Sequence, residues 1–117
     1  MPLTIAIWNI NANGHEGQLN IASVDPQGNL SGTVFGNPIQ GFWDEDAQKI
    51  TFMRIINASD PSLTQIYTGF RFQNPITPGA GEDVTQTLTG FFEAFSGSGA
   101  TAQSNLFGWF AQMKLIG

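Results

Sequence analysis

Clusters of Gly, Asn, Pro and Asp cut this 117-residue chain into short runs of β-branched and aromatic residues, and no run calls for a helix. Eight runs read as strands: Ile5–Ile10, Gln18–Val24, Asn29–Phe35, Ile39–Asp44, Lys49–Ile56, Leu63–Gln73, Val84–Phe95 and Leu106–Leu115. The separators are turn-like. Asp25-Pro26-Gln27-Gly28 has Pro at the second turn position and Gly at the last. Gly36-Asn37-Pro38 and Asp44-Glu45-Asp46 are short hairpin links, whereas Asn57–Pro61, Pro75–Asp83 and Ser96–Ser104 are longer loops. Short links favour pairing of strands in chain order. Eight strands paired that way can close into a single all-β domain, residues 1–117, as an antiparallel up-and-down barrel. A two-sheet sandwich is the alternative.

Five of the expected strands contain a glycine: Gly32, Gly41, Gly69, Gly90 and Gly108. Glycine weakens a flat strand, and coiling a sheet tightly enough to close it gives a reason for the repetition. Four of the five are followed within two residues by an aromatic, as in Gly41-Phe42-Trp43 and Gly108-Trp109-Phe110. Several strands are also apolar on both faces. Ile50, Phe52 and Ile56 alternate with Met53 and Ile55; Phe92 opposes Phe91 and Phe95; Phe107, Trp109 and Met113 oppose Leu106 and Phe110. A solvated barrel strand is polar outside. A short chain without helices has only another subunit to cover a second apolar face, so a homo-oligomer through the last strands is expected.

Charge is sparse. Asp, Glu, Lys and Arg make up 11% of the chain, against about a quarter in ordinary domains. The net charge is −5, and the four cations, Lys49, Arg54, Arg71 and Lys114, form no cluster. Nucleic acid and anionic membrane are therefore disfavoured as partners. No apolar run is long enough for a membrane-spanning helix, and the first residues carry no basic leader or cleavage motif, so no signal peptide is expected. Without cysteine, disulfide and thiol chemistry are excluded.

The strand plan and several motifs resemble the avidin/streptavidin family and, more broadly, small calycin-type barrels. The matching pieces are Trp8 in the first strand, Leu19-Asn20-Ile21 in the second and Gly28-Asn29-Leu30-Ser31-Gly32-Thr33 leading into the third. Tyr67-Thr68-Gly69 and Gly108 complete the set. The resemblance implies a ligand site of the biotin type in the barrel mouth. Its polar partners are not carried over. The hydroxyl position early in the second strand aligns with Gly17, the Tyr position of the third with Val34, and the Asn/Asp position of the last with Phe110. Each lost partner costs a buried ligand group about 1–3 kcal/mol. The remaining candidates for lining a mouth, or filling it, are Trp43, Phe52, Tyr67, Phe92 and Trp109.

Arg54 joins them. It lies within an apolar strand, and an inward arginine must be hydrogen-bonded or stacked. Stacking on Trp8 or Trp43 would close one barrel end; the rival role is an anion clamp in a pocket. His15, the only histidine, falls in the expected loop Asn13–Gly17 with no nucleophile or orienting acid in evidence. Asp44-Glu45-Asp46 lacks the alternation of a calcium loop, and Glu93 has no obvious second strand-borne acid other than Asp44. No metal or cofactor is expected. The residues point to a non-enzymatic, oligomeric binding or interaction module. A small-molecule-binding barrel, apolar or biotin-like, and a lectin-like surface built on the Asn- and Gln-rich loops are the alternatives.

Overall fold

The computed structural model describes residues 2–96 and 103–116. Eight antiparallel strands close into a barrel in simple chain order, as the turn spacing predicts. They are β1 (Ile7–Ala12), β2 (His15–Val24), β3 (Asn29–Val34), β4 (Asn37–Asp44), β5 (Lys49–Arg54), β6 (Gln65–Asn74), β7 (Val84–Ser96) and β8 (Gln103–Leu115). A single 3-10 turn at Pro61–Leu63 is the only helical element among the described residues. Closure is made by β1 and β8, which pair from Asn9 with Gln112 to Ala12 with Trp109.

Two hairpins are tighter than the sequence reading allowed. Asn13 and Gly14 both take positive φ, 50° and 88°, and alone connect β1 to β2. Asn-Gly suits such a two-residue turn because both residues tolerate the left-handed region. His15 therefore begins β2, facing Ala12, rather than lying in a five-residue loop. Phe35 and Gly36 make the second tight turn, with φ of 50° and 78°. Asn37 and Pro38 belong to β4, paired with Val34 and Thr33.

Side chains alternate as the two-residue period of a strand requires. Trp8, Ile10, Leu19, Ile21, Val34, Ile39, Ile50, Phe52, Tyr67, Leu88 and Trp109 are buried inside. The five glycines lie within strands, and at four of them, Gly32, Gly41, Gly69 and Gly90, a Cβ would collide with a neighbour. A Cβ at Gly90 would strike the Thr68 carbonyl of the adjacent strand. A Cβ at Gly69 would stand 2.6 Å from the Trp109 ring. The bulky outward residues are real: Phe70, Phe72, Phe91, Phe95, Leu106 and Phe110 are exposed on β6–β8.

The two barrel ends are built differently. One end carries the β1–β2, β3–β4 and β5–β6 connections, and the β7–β8 hairpin extends past the last β1 pair on this side. The other end is crossed by the chain before β1. Leu3 is buried there, the Ile21 amide donates to the Ala6 carbonyl, and the Trp8 indole donates to the Thr4 carbonyl.

Candidate functional site

Four aromatic rings fill the barrel below its open end. Tyr67 is stacked between Phe52 and Phe92, with both centroid distances 4.7 Å and interplanar angles of 8° and 15°. Trp109 meets Tyr67 and Phe52 edge-on at 5.7 and 5.9 Å. Its indole N–H is shared between the Thr68 and Phe91 carbonyls. Such pairs add to the apolar burial of the rings and fix their orientation. The barrel is therefore solid at its middle.

Above this plug lies a cavity of about 370 Å³, open to solvent. Ala12, His15, Glu16, Phe35, Arg54, Gln65, Tyr67 and Phe92 line it. Strand register explains the set. Arg54 is two residues after Phe52 on β5, and Gln65 two before Tyr67 on β6, so each continues the inward face to the rim. Arg54 and Gln65 are themselves a cross-strand pair.

Arg54 is half-buried and held in three ways. Its Nε donates to Asn37 Oδ1 at 2.9 Å, and a terminal nitrogen donates to Gln65 Oε1 at 3.2 Å. The guanidinium carbon stands 4.9 Å from the Phe35 ring centre. This corrects the expected stacking on Trp8 or Trp43: the partner is Phe35, which the short β3–β4 turn carries over the mouth. The Phe35 ring also takes the space beside Gly17, where a Cβ would collide with it. The Tyr67 hydroxyl donates to Gln65 Oε1 at 3.0 Å. Burial raises the Tyr67 pKa above its ordinary value, and the Arg54 charge and hydrogen bonding oppose the rise.

Of the six residues expected to line a cavity, Arg54, Tyr67 and Phe92 do so. Phe52 and Trp109 form the plug beneath. Trp43 lies at the opposite end, donating from its indole to Glu45 Oε1. It walls a larger cleft of about 540 Å³ with Leu3, Ile5, Val24 and Phe42. The smaller mouth is the stronger candidate. Ile5 and Phe42 belong to the exposed surface, and the acids at that cleft cap their own turns. Asp25 accepts from the Gln27 and Asn29 amides, and Asp44 from those of Asp46 and Ala47. Hydrogen bonding to the Asn29 side chain first, and then to the backbone amides of Asn29, Gln27 and Gly28, holds the Asp25 pKa below its ordinary value, against the opposing desolvation.

Phe110 is 44% exposed on the outer face, so the position aligned with the family's last-strand Asn/Asp does not reach the interior. Glu93 alternates outward from Phe92. The described residues hold no group of three or more possible metal ligands. The sequence reading missed His15, Glu16, Phe35 and Gln65 as mouth residues. The Asn-Gly hairpin signal could have placed His15 and Glu16 on a strand; nothing in the residues alone announces Phe35. No known protein family, curated protein or solved structure matches this chain.

Proposed function

We propose that this chain is a non-enzymatic, streptavidin-like binding barrel that takes a small molecule at its open mouth and works as a homo-oligomer. One observation carries the ligand reading. A cavity of a size typical of small-molecule sites, about 300–1,000 Å³, combines aromatic walls with a few convergent polar groups. A biotin-type ureido site is disfavoured, because Gly17, Val34 and the outward Phe110 offer no hydrogen bonds where that mode needs them.

The oligomer reading rests on the outer face of β6–β8. Phe70, Phe72, Phe91, Phe95, Leu106 and Phe110 share it with a row of threonines, and its charges are limited to Glu93 and Lys114. A chain of net charge −5 would meet its own copy there without like-charge repulsion.

Amide NMR with a panel of small heteroaromatic probes, and with biotin beside them, tests the ligand reading. Shifts should concentrate at Ala12, Phe35, Gln65 and Phe92; a panel that moves none of them at millimolar concentration overturns it. Light scattering after size exclusion tests assembly. The wild-type chain should run as an oligomer and the Phe91→Lys/Phe110→Lys variant as a folded monomer. A wild-type monomer at micromolar concentration would end that part of the proposal.

A further inference from the structure

The mouth carries a charge that the protein itself does not neutralise. Among the described residues Arg54 makes no ion pair; its two hydrogen-bond partners, Asn37 and Gln65, are neutral amide oxygens. An arginine has five N–H donors, so most of the fork is left for something else. Asn37 and Gln65 orient the guanidinium without reducing its charge, which is how a binding group is held rigid before its ligand arrives.

Phe35 adds an independent sign. A bulky residue at φ 50° is a backbone outlier, and the left-handed region costs a non-glycine residue on the order of 1–2 kcal/mol. Glycine or asparagine would turn the chain there more cheaply. The strained turn places a flat ring against the guanidinium face and at the cavity wall. Strain of this kind persists where the position does something else. Phe92 supplies further ring surface at the cavity floor, while Tyr67, with both faces stacked on Phe52 and Phe92, reaches the cavity only by its edge.

Glu16 is the carboxylate at this rim, and by strand alternation from Gly17 and Leu19 its side chain turns to the outside, whereas His15 keeps the inward phase. From this arrangement, and resting on the small-molecule reading above, we infer that the mouth is an anion clamp selective for flat, ring-bearing carboxylates: the Arg54 fork takes the carboxylate and Phe35 and Phe92 take the ring. A guanidinium matches a carboxylate in plane and in spacing.

Calorimetric titration with naphthoate and with naphthylmethanol, its neutral counterpart, tests the clamp. The wild-type protein should bind naphthoate about tenfold more tightly or better, as expected for a charge-assisted hydrogen bond in a half-buried site. Arg54→Gln should weaken naphthoate about tenfold or more and bring the two probes to parity, and a thermal melt checks that the variant is folded. Equal affinities in the wild-type protein, or a preference that survives in Arg54→Gln, overturn the clamp and leave the binding barrel standing. If neither probe binds, the clamp falls, and the probe panel read by amide NMR decides the binding barrel separately. The wild-type comparison decides even if the variant does not fold.

Discussion

The two ends of this barrel use the same device to opposite effect. Each has an arginine on the inward face of a strand, gripped by two amide side chains. At the open end Arg54 is held by Asn37 and Gln65. Toward the other end Arg71 donates through Nε to Gln48 Oε1 at 2.8 Å and through a terminal nitrogen to Gln73 Oε1 at 3.3 Å. The difference is what lies across each end. The segment before β1 runs over the Arg71 end, burying Leu3 and letting the Thr4 hydroxyl donate to Gln86, which is fully buried. Nothing comparable crosses the Arg54 end among the described residues, and a cavity remains there. Alternation thus places the same residue type at both rims, and chain connectivity decides which rim is left free to bind.

The comparison holds only if the aromatic plug separates the ends. Trp109→Ala should have the largest effect, a loss of about 3–5 kcal/mol in urea unfolding, from the cavity left behind and the two carbonyls deprived of their donor. A loss below about 1 kcal/mol would mean that the rings do not form one packed layer. A paired substitution then sharpens the contrast. Leu3→Ala, at the covered end, should cost about 2 kcal/mol. Phe35→Gly, at the open end, removes a larger side chain yet should stay within about 1 kcal/mol of wild type, because glycine relieves the positive φ. A Phe35→Gly cost exceeding that of Leu3→Ala would show that the mouth is a packed core and not a site.

The architecture was legible because each signal was local and repeated. Turn residues bounded the strands, and the alternation of Phe52 against Met53, or Phe92 against Phe91, assigned faces before any contact was known. The site was half legible. Arg54, Tyr67 and Phe92 stood out as chemistry on an inward face, but the same logic selected Trp43, which alternation alone cannot assign to one end or the other. Phe35 was illegible, since its role comes from a turn conformation that phenylalanine disfavours. Conflict between a local preference and the fold is invisible in a propensity reading and appears only once tertiary contacts impose it.

Tyr67 gives the smallest effect and the most direct reading of the open end, because it is the only tyrosine of the chain and its ultraviolet titration has no competitor. Burial favours its neutral form, so its folded pKa lies above the ordinary value near 10. The sign follows from linkage. Above the unfolded pKa the native state holds a proton that the unfolded state has lost. The stabilisation is therefore complete below the unfolded pKa and declines as pH rises through the folded one. Stability should fall across that alkaline window in the wild-type protein and fall less in Tyr67→Phe. The Arg54 charge opposes the rise, so Arg54→Gln should move the tyrosinate absorbance to still higher pH. An unchanged titration in Arg54→Gln would mean that the guanidinium does not face the hydroxyl, and the two ends of the barrel would no longer differ in the way their arginines are presented.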